Sequence, residues 1–252
     1  MSLLDSIHGV IARRVLLNYR LDPAALRQIL PAPFRPKLYR GAGIGGVCMI
    51  RFRQLRPRMT PAWLGLSSEN AAHRIAVEWE QDGALREGVY IPQRNTNSWF
   101  NASFGGRVFP GIFTRSRFET HEDAESVRVR IVEADGREQL AFAGRPASGL
   151  PASSVFPTLT AAAEFFSLGA TGYSATRAPG RYDGMELRCL RWTIEPLQVE
   201  EVRSRFYEDA GQFLRGAAEV DCALLMRDID HEWHSRPDLF ASADGARLSS
   251  RR

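Results

Sequence analysis

The chain contains a single lysine, Lys37, among 33 basic residues, and all the others are arginines. A lysine amine can lose its proton and attack a carbonyl, whereas a guanidinium stays protonated and is confined to binding and stabilising anions. Schiff-base chemistry is left with almost no amine to carry it. Codon bias accounts for the swap of Lys for Arg, and the chemical consequence holds whatever its origin. Cysteine is scarce as well. Cys48, Cys189 and Cys222 are odd in number, far apart and set among apolar neighbours, with no C-x-x-C. They read as buried free thiols rather than a disulfide framework or a zinc site. Nucleophile-elbow, P-loop and G-x-G-x-x-G motifs are absent, so spacing alone nominates no serine hydrolase, nucleotide or dinucleotide site. His231 and His234 stand close together in DHEWH, but this is not H-E-x-x-H and carries no carboxylates at ligand spacing. Neither a metal nor a cofactor is expected. No run of 18 apolar residues occurs, and the opening MSLLDSIHGVIARR is broken by Asp5, Arg13 and Arg14. No membrane partner is expected, and the simplest location is the cytoplasm.

What is present fits a soluble globular chain: 252 residues, 44% hydrophobic and 25% charged. Nothing marks a domain boundary, so residues 1–234 are read as one domain and the polar, aperiodic stretch 235–252 as a flexible tail. The net charge of +4 is offset by interspersed acids. The densest basic run, Arg51, Arg53, Arg56 and Arg58, alternates as a strand does. It reads as a solvated strand face, with a phosphate or carboxylate contact as the alternative. No nucleic-acid motif accompanies it, and nucleic acid is not an expected partner.

Strands are expected over 10–21, 46–55, 72–80, 84–92, 112–121, 126–133, 138–145, 186–194 and 217–227. Asp82-Gly83 marks a hairpin between two of them. Asp22-Pro23 opens a short helix to about Leu30, stopped by Pro31, Pro33 and Pro36. Thr96 and Asn97 can cap a second over SWFNASF, and a third runs near Thr160–Leu168 with Gly169 beyond its end. With no βαβ alternation, the fold class is mainly β: one curved antiparallel sheet or barrel with a few short covering helices.

Two stretches concentrate rare residue types. EGVYIPQRNTNSWFN carries Tyr90, Arg94 and Asn97, and GGRVFPGIFTRSRF carries Arg107, Thr114 and Arg115. Glycines there allow tight backbone passage, and the arginines suit a carboxylate bidentately. The competing reading is that Arg94, Arg107 and Arg115 are ordinary surface charges.

These stretches, with the opening NYRLDPAALRQILPAPF, the segment SSEN, YDGMELRCLRW and AEVDCALLMRDIDHEWH, resemble the acetoacetate decarboxylase superfamily. They are most similar to its uncharacterised decarboxylase-like branch, over most of residues 10–234. The resemblance implies a cone-shaped β-barrel with a central cavity. Through SSEN it implies an active-site carboxylate at Glu69. Laid without gaps on the Gly-Arg-Glu, spacer, Pro-Lys-Lys run of the decarboxylases, Gly106-Arg107 fall on the Gly-Arg, and Thr114 and Arg115 fall on the two lysines. A threonine hydroxyl cannot form the iminium electron sink, so this chain resembles a branch that lacks the Schiff-base lysine. The lone Lys37 lies away from those positions and is read as a snorkelling surface residue.

The resulting expectation is an internal pocket for a small carbonyl or carboxylate compound. Glu69, Thr114 and Arg115 are the candidate catalytic residues, and Tyr90, Arg94, Asn97 and Arg107 the candidate substrate contacts. A lyase-like enzyme would decarboxylate, hydrate or dehydrate, or isomerise without covalent catalysis, and needs Glu69, Arg94, Thr114 and Arg115 to converge on one cavity. The alternatives are a binding protein without turnover, for a hydrophobic acid or metabolite, and a barrel filled by its own side chains. A homo-oligomer is implied by the resemblance, although no self-complementary patch is readable in the sequence.

Overall fold

The structure, a computed structural model, describes residues 6–57, 60–99, 111–241 and 247–249. In chain order the strands are β1 (Ser6–Leu21), the two-residue β2 (Arg35–Pro36) and β3 (Leu38–Tyr39), β4 (Ala42–Pro57), β5 (Leu66–Gln81) and β6 (Ala84–Thr96). After them come β7 (Phe113–Glu122), β8 (Val127–Glu133), β9 (Glu138–Pro146), β10 (Thr171–Ala175), β11 (Arg181–Cys189), β12 (Glu195–Ser204), β13 (Ala218–Phe240) and β14 (Arg247–Ser249). Among the described residues two α-helices, α1 (Pro23–Ile29) and α2 (Leu159–Leu168), interrupt them.

All the strands belong to one sheet that closes on itself twice. Five strands, in the order β13-β1-β4-β5-β6, form a shared wall. On one side β10 and β11 link β6 back to β13, giving a ring of seven. On the other side β7, β8, β9 and β12 link the same two strands, giving a second ring. Closure leaves few free edges, which is how β-rich chains avoid unpaired backbone.

Because both faces of the shared wall are covered, its strands carry near-continuous apolar runs rather than clean alternation. The period of two still sorts the side chains. Val15, Leu17 and Tyr19 of β1, Val47 and Met49 of β4, and Ala223 and Leu225 of β13 enter the core shared with Val129, Ile131, Leu140 and Phe142. Leu16, Cys48, Ile50, Phe52, Cys222, Leu224 and Met226 face the other way, towards Phe165 and Phe166 of α2. The second ring's interior is therefore filled, and the first ring is the one that α2 covers.

The turn chemistry is met by the backbone. Asp82 and Gly83 both have positive φ, 52° and 73°, as a type I′ hairpin requires. The Asp22 side chain accepts from the Ala24 N–H at 2.7 Å and Pro23 follows as the first residue of α1. In α2 the Thr158 hydroxyl accepts from the Ala161 N–H at 3.1 Å.

The mainly β, cone-like barrel expected from the sequence is the fold that forms, with several differences in detail. Fourteen strands replace nine. Of the five unforeseen strands among the described residues, β2, β3 and β14 have two or three residues, β10 has five, and β12 is EPLQVEEVRS, mostly polar because one face is exposed. The sheet is not wholly antiparallel, since β6 runs parallel to both β7 and β10. The strand expected over 186–194 lies at Arg181–Cys189. The expected tail is corrected at its start: β13 continues through Ser235 to Phe240, pairing with β11 and burying Asp238 and Leu239. The helix expected over SWFNASF falls, beyond Trp99, outside the described residues, as does Arg107.

Candidate functional site

Consecutive residues of a strand face opposite ways, and here that separates two sets of charges. Arg13 and Arg14 are neighbours on β1, as are Glu69 and Asn70 on β5. Arg13 and Glu69 lie on the filled side, while Arg14 and Asn70 line a cavity between the wall and α2.

On the filled side, Glu69 is clamped by two arginines, Arg13 at 2.6 Å and Arg51 at 2.6 Å. Glu122 of β7 adds a second carboxylate, 3.7 Å from Arg13 and 3.1 Å from Arg227. The cluster ties β1, β4, β5, β7 and β13 together. Both oxygens of Glu69 are engaged by cations, which is the setting of a structural ion pair rather than of a base. The backbone N–H of Glu69 donates to the Asn97 side chain at 2.9 Å.

The cavity has a volume of about 110 Å³. Its walls are mostly apolar: Leu16, Ile50, Phe52, Phe165, Phe166 and Leu187. Into this surface are set Arg14, Arg74 and Arg94, together with Cys48, Asn70 and Lys37. The Arg94 guanidinium donates twice to the Ser174 hydroxyl, at 3.0 and 2.9 Å, and stacks on Phe113 with 5.5 Å to the ring centre. Burial pulls its pKa down to about 10. Arg74 is only 7% exposed. It donates to the Asn18 side-chain oxygen, lies 4.9 Å over Phe166, and its Nε has no hydrogen-bond partner among the described residues. Burial lowers the Arg74 pKa also. Arg14 donates from Nε to Cys48 Sγ at 3.2 Å and sits 5.2 Å over Trp192. Among the described residues no ion pair joins these three arginines to a carboxylate, although the charge of Asp183 acts on Arg94, and no Asp or Glu lines the cavity.

Small residues make the room. Ala72 and Ala76 alternate with Asn70 and Arg74 along β5, and Gly88 and Gly172 line the β6–β10 side. At Gly88 an added Cβ would stand 2.4 Å from the Thr171 carbonyl oxygen, so this close approach of two strands admits only glycine.

The seven candidates from the sequence thus separate. Arg94 lines the cavity. Tyr90 turns to the opposite side, against Phe34 and Tyr182. Asn97 and Arg115 are exposed, and Thr114 is half-buried on β7 outside the lining. The residue of β7 that does reach the cavity is Phe113, one position before the threonine laid on the first lysine. Glu69 faces away, so the four groups required for acid/base turnover do not converge. Arg107 lies outside the described residues. Lys37 is corrected in the other direction. It lines the cavity rather than snorkelling at the surface, with Nζ 2.7 Å from Glu87 and 4.8 Å over Phe165. Arg51 and Arg53, read as a solvated face, are partly exposed and also pair within the chain, with Glu69 and Asp228. Arg14, Arg74 and Cys48 were the polar groups missed. The available signal was ENAAHRIAV, where an arginine shares a strand face with alanines.

Residues 11–226 match the model of the family DUF2071, described as an uncharacterized conserved protein. The chain belongs to this family. No curated protein matches the sequence. Among solved structures it is similar to the acetoacetate decarboxylase of Legionella pneumophila, with a TM-score of 0.55 at 10% identity, covering 97% of this chain and 87% of that one. An acetoacetate decarboxylase-like enzyme from Sphingomonas wittichii RW1 gives 0.53 at 14% identity, covering 98% and 93%. The enduracididine biosynthesis enzyme MppR, complexed with pyruvate, gives 0.58 at 11% identity, covering 95% and 91%. At such identities the likeness establishes the fold: this DUF2071 chain has an acetoacetate-decarboxylase-like barrel. Among its described residues no helix is long and apolar enough to cross a membrane.

Proposed function

We propose that the cavity binds a small carboxylic acid with an apolar body. Its carboxylate is held by Arg94 and Arg74, and its body lies against Phe113, Phe165, Phe166 and Leu187. One observation carries this reading: among the described residues three guanidinium groups line a mostly apolar cavity without an ion-paired carboxylate, and Arg74 keeps an Nε–H with no acceptor. Burying a charge without a partner costs several kcal/mol, and an acid supplies the missing counter-charge in bidentate form. The volume of about 110 Å³ suits an occupant of a few heavy atoms. That lies below the roughly 300–1,000 Å³ typical of sites for drug-sized ligands.

Turnover without covalent catalysis is the second reading, favoured by the same cluster. A β-keto acid losing carbon dioxide passes through an enolate, and preorganised guanidinium groups stabilise that charge. The enolate must then take up a proton, and among the described residues no carboxylic acid group lines the cavity to give it, so binding is the better supported of the two. MppR is complexed with pyruvate in its own structure, which makes pyruvate a suitable first probe here.

Calorimetric titration with pyruvate, isovalerate and benzoate, each against its amide, tests the reading. At least one acid is expected to bind, and the matching amide at least about tenfold more weakly, as one lost charge-assisted contact implies. Arg94→Leu and Arg74→Leu are each expected to weaken the acid by about 10–100-fold. Equal affinity for acid and amide, or no acid binding at millimolar concentration, overturns it. Carbon dioxide released from acetoacetate by the wild type but not by Arg94→Leu establishes turnover.

A further inference from the structure

Cys48 occupies the middle of the cavity wall. Leu16, Cys48, Ala72 and Arg94 stand in register across β1, β4, β5 and β6, on one face of the sheet. Strands repeat every 4.7–4.9 Å, so the Cys48 and Arg94 backbones lie about 10 Å apart with only an alanine methyl between them. Arg74 is two residues along from Ala72 on the same face, and Arg14 two residues from Leu16. All three arginines and the thiol line the same space. The thiol accepts the Arg14 Nε–H at 3.2 Å. Arg74, 7% exposed, lines the same space and keeps an Nε–H without an acceptor among the described residues.

The other two thiols lie outside this space, although Arg14 also reaches Cys189, with an Nη1 3.9 Å from its sulfur. Neither Cys189 nor Cys222 lines the cavity, and burial pushes the Cys222 thiol up to about 12 and raises that of Cys189. A thiolate, not a thiol, is the nucleophile, and neighbouring cations favour it.

We propose that Cys48 is a nucleophilic thiol that bonds covalently to a small α,β-unsaturated carboxylic acid whose carboxylate rests on Arg94 and Arg74. The proposal rests on the acid-binding reading of the cavity and adds a reaction to it. In the step, Cys48 gives its proton to water and its sulfur bonds to the β-carbon of the acid. The carbon–carbon π pair moves towards the carboxylate, and the α-carbon then takes a proton from water. One carbon–sulfur bond forms, one π bond is lost, and nothing is oxidised or reduced. Arg14 steadies the sulfur as it loses its proton, while Arg94 and Arg74 hold the charge that develops on the carboxylate.

Iodoacetate and iodoacetamide separate the outcomes, because they share one substitution chemistry and differ in the carboxylate. In each, a carbon–sulfur bond forms and iodide leaves. Native protein is treated with either reagent, and the modified cysteines are mapped and timed by mass spectrometry. Cys48 is expected to be labelled by iodoacetate in preference to iodoacetamide, with Cys189 as the internal reference. Arg94→Leu should shift that preference towards the amide by about tenfold or more. A bound acid from the titrations should protect, and acrylate should give a Cys48 adduct heavier by the whole acid. Cys48→Ser keeps the shape of the wall and should bind acids while forming no adduct. If acids bind yet Cys48 takes up neither iodoacetate nor acrylate, the thiol proposal fails and the binding site stands. If acids do not bind and the amide labels Cys48 faster, both fail.

Discussion

At the scale of single residues, this protein separates charges that support the fold from charges that face the cavity, and it does so by strand parity. Glu69 neutralises Arg13, which is fully buried, and Arg51. Removing one partner of such a cluster strands the others, at a cost of about 3–5 kcal/mol. Glu69→Gln is therefore expected to lower the unfolding free energy by about that amount in denaturant titrations. Acid binding per folded molecule should not change. His73 makes a second case. Its ring is buried against Phe206 and neither nitrogen has a partner among the described residues. Burial pulls its pKa from 6.5 down to about 4. Below pH 6.5 the unfolded chain takes a proton that the folded chain refuses. Stability should therefore fall as pH drops from about 6.5 to about 4, by about 3 kcal/mol from this one group, and level off below. His231, also buried and pulled down to about 4, adds a similar slope, so His73→Leu should remove about half of the fall read from denaturant midpoints at pH 7, 5.5 and 4. Which side chains reach the cavity was only half legible in the sequence. Arg94 was found because glycine, proline and amides surround it. Glu69 came from the resemblance of SSEN, and Asn70, Arg74 and Cys48 were missed, because a one-residue difference in parity shows only once both faces of β5 are known to be buried.

At the scale of elements, local chemistry was the readable part. Asp82-Gly83 makes its hairpin, Asp22-Pro23 starts α1 and Gly169 ends α2, since each depends on a few adjacent residues. Pairing partners were not readable in that way. The parallel neighbours of β6 are fixed by closure of two rings, and β10, with five residues, carries no periodic signal of its own. The helix α2 deserves a test because it supplies Phe165 and Phe166 to the cavity. Loss of its cap in Thr158→Ala should cost about 1 kcal/mol in thermal or chemical unfolding. Acid affinity should weaken only as far as the helix frays.

At the scale of the whole molecule, the shared wall makes the two rings one cooperative unit. Tyr207 contributes from the filled side. Its hydroxyl accepts from the Gly46 N–H at 2.6 Å and lies 3.0 and 2.9 Å from the Gly46 and Arg74 carbonyl oxygens. It thus fixes the backbone of the residue whose side chain faces the cavity on the other side. Tyr207→Phe leaves those buried backbone groups short of a partner and should cost about 1–3 kcal/mol. Far-ultraviolet and tryptophan signals should still fall together in one transition, because neither ring can open without the wall. Two separated transitions would show that the rings melt independently.

The long strand β13 carries one more consequence. It borders β1 along its length, and both rings close on it. During synthesis, β1 leaves the ribosome about 200 residues before its partner, which at roughly 5–20 residues per second is a delay of about 10–40 s. Throughout that interval the apolar faces of β1, β4 and β5 have no cover from the strand that completes them. Newly made chains should therefore depend on chaperones, and a truncation before residue 218 should yield aggregate rather than a smaller folded protein.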